Sequence, residues 1–371
     1  GDKINSVSIS SDGSSIVAAS DDDYVYFFNL TGGGTPSWKH SLGGKEVTAV
    51  AVSSDGKYII AGGEKDIAYL FDKGKTGDTY LWSVELSGEI TAVDISSDGE
   101  YIVVGAEVTS SNSRVHVFDK DSNATLWTDI VYGDISTISI SGDSNFIAVG
   151  TVKDRLYFYD RTSDEPEWSF NTDDSVNEVA LSTDGKYLAA CSEDENLYFF
   201  ETSSETPKWS LDFGSDVNSV DVSSNGADIV AVLDNGGIYH ISKDSHTYIW
   251  VFPGSSRQTA ASISNDGKSV VSGNEDGKVS FFVSPYIYRS YINTTVPSVI
   301  SFGTDFTIVG YSENSTGVSK YLWTSDIDGI VSNSTSMNMN NLTVGTHTIT
   351  FQSQYGTISR NVTVAPIVDA N

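Results

Sequence analysis

One cysteine, Cys191, stands among 371 residues. A single thiol permits no intrachain disulfide, and on a run of small apolar residues it reads as a buried apolar side chain. No stretch of 18 apolar residues occurs, so the chain carries no transmembrane helix candidate, and no signal peptide opens it. Basic residues are scarce: 21 Lys and Arg stand against 50 Asp and Glu, a formal net charge of −29. Nucleic acid and anionic membranes are therefore disfavoured as partners, because binding them needs a basic face. The five histidines are His40, His116, His240, His246 and His347, and none forms a metal-spaced pair. They are expected to be strand surface or packing residues. No Gly-x-Ser-x-Gly elbow, phosphate loop or His-Glu-x-x-His occurs. No catalytic residue, cofactor or metal site is expected.

What is present is repetition. Seven segments read apolar–x–x–apolar–x–apolar–Ser, starting at Ile4, Val47, Ile90, Ile135, Val176, Val217 and, more loosely, Gln258. An Asp-Gly-like turn follows each, at Asp12, Asp55, Asp98, Asp143, Asp184, Asn225 and Asp266, spaced 43, 43, 45, 41, 41 and 41 residues apart. A fixed period near 42 is the mark of a structure built by stacking one unit. Each period holds four strand-like runs: the Val/Ile segment, a small-residue run such as Tyr187-Leu-Ala-Ala-Cys191, an aromatic run such as Leu197-Tyr-Phe-Phe200, and a run with a tryptophan. Few segments carry a helical apolar period. Four short strands per period, joined by Gly/Asp/Ser/Asn turns, make one blade of a propeller. The fold class is all-β, with a seven-bladed β-propeller over residues 1–286.

The tryptophans of these fourth runs are Trp38, Trp82, Trp127, Trp168, Trp209 and Trp250. One large ring per blade suits the gap to the next blade. The turn Asp is expected to accept hydrogen bonds from its own turn while Gly permits a positive φ. One carboxylate per turn falls well short of a calcium shell.

The run Val-x-x-Val-x-Ile-Ser-x-Asp-Gly-x-Tyr-Ile-x-x-Gly, followed by an aromatic strand, resembles WD-repeat and YVTN-type propellers. The stretches Asp72–Trp82 and Asp119–Trp127 resemble the tryptophan motif of quinoprotein-like propellers. The Trp-Asp dipeptide of the WD family is replaced by Phe28-Asn29, Phe71-Asp72 or Phe118-Asp119. The eight-bladed ring of the quinone-dependent dehydrogenases, with its vicinal cysteine pair, is missing.

Beyond Val283 the period stops, and 284–296 reads as a connector. Residues 297–371 carry shorter strands, among them Lys320-Tyr-Leu-Trp-Thr324 and Thr346-His-Thr-Ile-Thr-Phe351. These resemble PKD-like and Ig-like β-sandwich modules, in which a Tyr-x-Trp strand supplies the core tryptophan. A propeller followed by such a module resembles archaeal surface-layer and cell-envelope proteins, which implies an extracellular place on an archaeal or bacterial envelope. Six tryptophan strands serve seven blades, so one outer strand must come from elsewhere. Residues 288–294 are the expected closing strand, since Tyr291 lies nine residues after Phe282 as Trp209 does after Phe200. Gly1 stands where a fourth strand would just have ended, which suggests a mature or excised portion of a longer polypeptide.

Charge is uneven: residues 287–371 hold five acids and three bases, the remainder 45 and 18. The turns Asp21–Asp23, Glu64–Asp66, Glu193–Glu195, Asp234 and Glu275–Asp276, with the connectors Glu46, Glu89, Asp134, Asp173, Asp174 and Asp216, should line one anionic face. That face suits solubility outside a cell, or docking of cations or a basic partner. Asn-x-Ser/Thr sequons occur at Asn29, Asn123, Asn293, Asn314, Asn333, Asn341 and Asn361, as candidate glycosylation sites. The expected function is a non-catalytic extracellular scaffold or adhesion protein, contacting copies of itself, other surface proteins or glycans. The alternative is an enzyme or glycan-binding propeller with its site at the channel mouth. The longer loops of blades one to three, at Thr31–Thr35, Lys73–Gly77 and Val108–Asn112, lack a clustered acid, base and nucleophile.

Overall fold

The computed structural model describes residues 2–30, 34–75, 79–109, 111–244, 246, 248–283, 290–292, 299–301, 307–312, 321–332, 336–338, 342–353 and 356–365. They fall into two compact units, Gly1–Phe282 and Val283–Asn371. Every regular element named among them is a β-strand.

Residues 176–212 show how one repeat becomes one sheet. Val176–Leu181, Tyr187–Ser192, Asn196–Glu201 and Trp209–Asp212 pair antiparallel in chain order. The first turn is tight because Ser182 Oγ donates to Asp184 (3.0 Å) and accepts from the Tyr187 amide (3.1 Å), while Gly185 takes φ +63°. The same serine–carboxylate bond recurs from Ser10 to Asp12, Ser53 to Asp55, Ser141 to Asp143 and Ser264 to Asp266, each at 2.7 Å. The turn acids are thus structural acceptors, as expected. The Ser10 hydroxyl and the Ser14 amide hold the Asp12 carboxyl down at about 2. Blade six uses Asn225 in this place, accepting from Ser223 at 3.2 Å. Asp55→Ala should therefore cost about 1 kcal/mol in urea unfolding, one turn hydrogen bond's worth, and Asp55→Asn clearly less.

Six four-stranded sheets and one three-stranded sheet follow this plan. Their first strands are Ile4–Ile9, Val47–Val52, Ile90–Ile95, Ile135–Ile140, Val176–Leu181, Val217–Val222 and Gln258–Ile263, and each of the first six lies beside the first strand of the next blade. Near the start of every first strand the register slips by one residue, as between Val176/Glu178 and Val217/Ser219. Such a bulge re-aims a side chain. Here the extra residue reaches the next blade: Asn5 Nδ2 donates to Val47 O (3.0 Å), Asn177 to Val217 O (3.0 Å) and Asn218 to Gln258 O (2.8 Å). The added residues near Val108 lengthen the hairpin of blade three, Tyr101–Thr109 and Asn112–Asp119.

The core lies between sheets. Val17, Ala19, Val25 and Phe27 of blade one pack with Val47, Val50, Val52, Ile59 and Ala61 of blade two, and later blades repeat the arrangement. Tryptophan closes each gap on the outside. Trp168 stacks on Phe158 of its own blade (5.0 Å between centroids) and Phe200 of the next (5.3 Å), and its Nε1 donates to Thr202 O at 2.8 Å. Trp82 donates likewise to Lys120 O (2.8 Å) and Trp209 to Lys243 O (2.9 Å). The rings are interblade wedges.

The expected closing strand does not join the seventh sheet. Ser290–Ile292 pairs antiparallel with Thr307–Ser312, with Tyr291 opposite Tyr311, inside the second unit. It pairs there along one edge, and among the described residues no strand lies on the outer edge of Val279–Val283. The unit boundary accordingly falls at 282/283, ahead of residue 286.

The second unit holds a three-stranded sheet and a five-stranded one, the latter ordered Val299–Ser301, Gly356–Ala365, Gly345–Ser353, Tyr321–Ser325, Gly329–Ser332. Trp323, Ile349 and Val364 of the larger sheet are buried.

Candidate interaction surfaces

The turns between second and third strands meet the blade connectors through backbone bonds. Glu64 N donates to Glu46 O (3.2 Å), Glu107 to Glu89 (2.8 Å), Val152 to Asp134 (3.0 Å), Glu193 to Ser175 (2.9 Å) and Asp234 to Asp216 (3.0 Å). The two sets of acids therefore emerge together, and their charges bear on Glu89. Burial first, then the charges of Glu64, Glu107, Asp66 and Glu46, push its carboxyl above the usual range. Some of the acids also brace their turns. Asp23 accepts from Ser41 Oγ (2.9 Å) and Gly44 N (2.8 Å), and Asp22 from the Tyr26 hydroxyl (2.6 Å). Among the described residues no group of three or more His, Cys, Asp or Glu is arranged to hold a metal ion.

A second set of polar groups lies where the first strands converge. The fifth residue of each first strand faces the amide of the sixth residue in the next blade. Ser8 Oγ accepts from Val52 N (3.2 Å), Asp94 Oδ2 from Ile140 N (2.8 Å), Ser139 Oγ from Leu181 N (3.2 Å) and Asp221 Oδ2 from Ile263 N (2.9 Å). The third residue serves the fourth in the same manner: Thr137 for Val179 (3.3 Å), Glu178 for Val220 (3.0 Å) and Ser219 for Ala261 (2.9 Å). Hydroxyls suffice at most of these places, yet Asp94, Glu178 and Asp221 bring carboxyls. Surrounding protein pushes Asp94 up to about 6 and Glu178 up to about 7, against the amide hydrogen bonds that favour the ion, and raises Asp221 as well. Sequence reasoning passed over these three, although each replaces a Ser, Thr or Ala of its sister blades.

These shifts set a pH dependence. Asp94 and Glu178 bind protons more tightly in the folded chain than in the unfolded one, so their contribution favours folding on acidification and is lost as pH rises through about 6 and about 7. His116 opposes them. Burial, with Arg114 beside it, holds its ring at about 4, so stability present above 6.5 is lost as pH falls toward 4. With His116 offsetting about one of the two carboxyls between pH 4 and 6.5, stability in urea should fall as pH rises from about 4 to about 7, by roughly 1–3 kcal/mol in all, and level off above. Asp94→Asn with Glu178→Gln should abolish that fall and leave the rise between about pH 4 and 6.5 that His116 contributes.

Blade six departs from its sisters inside. Where Phe146 stacks on Phe158 and Tyr187 on Phe199, blade six has Asp228 and His240, both buried, with His240 Nε2 3.0 Å from Asp228 Oδ1. No solvent-facing nucleophile is part of this pair. In the second unit His347 is also buried. Its Nε2 donates to Thr343 O (2.7 Å), leaving Nδ1 to accept from Ser325 Oγ (2.8 Å). His40 packs edge-on against Phe71 (5.1 Å). Of the histidines read from sequence as strand-surface or packing residues, His40, His116, His240 and His347 pack, and His246 is exposed outside the strands; His240 and His347 add hydrogen bonds that their spacing did not announce.

Of the sequon asparagines, Asn29 ends a strand and is exposed, and Asn123 is exposed with Nδ2 donating to Ser83 O at 3.1 Å. Asn361 lies on Gly356–Ala365 opposite Thr348. Asn293, Asn314, Asn333 and Asn341 lie outside the described residues.

Two family models match parts of the chain. The WD domain, G-beta repeat, matches residues 1–29, 37–72 and 81–119. A model described as outer membrane protein assembly factor BamB matches residues 111–237. Among solved structures, the Cps50 (Swd1) beta-propeller domain of Myceliophteria thermophila is similar over 76% of this chain and 96% of that one, at 13% identity and a TM-score of 0.60. The first unit is a WD/PQQ-like propeller. At that identity the likeness concerns the fold. No curated protein matches the chain. In this WD/PQQ-like propeller the Ser–Asp pairs that carry the resemblance close turns within a blade, and the tryptophans join neighbouring blades.

Proposed function

We propose that the protein is a non-catalytic scaffold or adhesion protein of the cell exterior, mediating contacts with copies of itself, other surface proteins or surface glycans. The observation that carries this reading is where the chemistry-bearing side chains are spent. The Ser–Asp pairs close turns, the indoles and first-strand hydroxyls join blades, and Asp228–His240 is sealed inside. What the propeller offers to solvent is a rigid body with an acidic face, suited to contact and to salt-dependent attraction of a basic partner. The second unit, with Trp323 buried on the strand Tyr321–Ser325, supports a PKD-like or Ig-like spacer. Exposed Asn29 and Asn123 support glycan attachment, and the domain pairing supports an archaeal or bacterial envelope.

Cosedimentation of the purified protein with envelopes of its source cell tests the proposal. Saturable binding that weakens as salt rises is expected. An absence of binding at low salt, or hydrolysis of envelope polysaccharide by the protein, would count against it.

A further inference from the structure

Each blade junction is built from two unlike halves. The incoming half is the apolar first, fourth and sixth residues of a first strand. The outgoing half comes from the second and third strands of the preceding blade. Val50, in the incoming half of blade two, is 5% exposed and Val220, in blade six, 1%. Phe199, in the outgoing half of blade five, is fully buried. Six junctions of this kind occur in the chain.

One half of each type is left over. In blade one, Ile4, Val7 and Ile9 occupy the incoming positions and are 49%, 67% and 59% exposed. In blade seven, Val271, Val279 and Phe281 occupy the outgoing positions and are 38%, 76% and 67% exposed. The residue types are unchanged from the inner blades and only the cover is missing. Large contiguous apolar exposure of this kind marks an interaction surface. The two end faces do not cover each other, since both are open to solvent in one molecule. The bulge residue of blade seven, Thr259, bonds to Gly273 O of its own blade (3.3 Å) just as Thr48 of blade two bonds to Gly62 O (3.3 Å), but Thr48 also reaches forward to Ile90 O of the next blade.

We propose that these two faces bind each other between molecules, so that blade seven of one copy docks on blade one of the next. The argument is continuity with an interface the chain already makes six times. Because the halves differ, the contact is head-to-tail, and it grows into an open chain or closes into a ring as its rotation dictates. This deepens the scaffold reading, resting on it only for the purpose of the assembly.

Mixing two variants tests the proposal. Across micromolar concentrations, sedimentation velocity should show the native protein passing from monomer to dimer and longer species. Val7→Glu, which spoils the incoming face, and Phe281→Glu, which spoils the outgoing face, should each remain monomeric as single species. Mixed together they should stop at dimers, since each retains the face the other lacks. Native protein that stays monomeric throughout, or a mixture that gives no dimer while both variants keep their β-sheet circular dichroism, would overturn the proposal. Ile9→Cys with Phe281→Cys tests closure within one chain. An intramolecular disulfide in the dilute monomer would also overturn it, and buried Cys191 leaves that measurement clean. Neither failure touches the scaffold reading, which the envelope cosedimentation decides separately.

Discussion

Trp168→Ala should lower the unfolding free energy by roughly 2–4 kcal/mol, less than deleting a fully buried large aromatic because the ring is half-buried. The ring lies between Phe158 and Phe200 with centroids at 5.0 and 5.3 Å, so removing it opens a gap that two blades must share. It also strands the Thr202 carbonyl, which accepts the indole proton at 2.8 Å. Trp168→Phe separates the two contributions. It keeps an aromatic wedge and forfeits the hydrogen bond, at about 1 kcal/mol. Urea denaturation followed by circular dichroism would measure both. Equal losses for the two variants would mean that the hydrogen bond, and not the wedge, holds the junction.

Asp228→Ala should destabilise by about 3 kcal/mol, since truncating one member of a buried hydrogen-bonded pair leaves the other desolvated. The sister blades offer the control. Tyr187 and Phe199 occupy the equivalent places in blade five and stack at 5.7 Å. The double variant Asp228→Tyr/His240→Phe should recover most of the loss, or exceed the native stability, as apolar replacement of buried polar pairs often does. If the double variant is as unstable as the single one, the pair has a role beyond packing that the other blades do not share.

Repetition made the propeller legible. A turn that recurs seven times reports its own rule, and the Ser–Asp–Gly geometry follows from Asp and Gly chemistry alone. The tryptophan spacing likewise pointed to one wedge per blade. Other features resisted for definite reasons. Asn5, Asn177 and Asn218 look like ordinary polar alternation in a strand, and only the register slip shows that they reach the next blade. Asp94, Glu178 and Asp221 were visible as departures from the repeat, but their use lies in amides of the neighbouring sheet, 42 to 46 residues away. Asp228 and His240 are 12 residues apart on adjacent strands, so their pairing depends on register. The closing strand was misplaced because a matching spacing, Phe282 to Tyr291, does not determine a partner, and Ser290–Ile292 found its hydrogen bonds in the second unit. The acidic face was readable because turns and connectors alternate regularly along the chain.

The scaffold reading is tested most directly by immunogold electron microscopy of intact, unpermeabilised source cells, using an antibody against the acidic turn face. The reading predicts label on the cell exterior, in repeated clusters. Label that appears only after permeabilisation, from a dispersed intracellular protein, would contradict it.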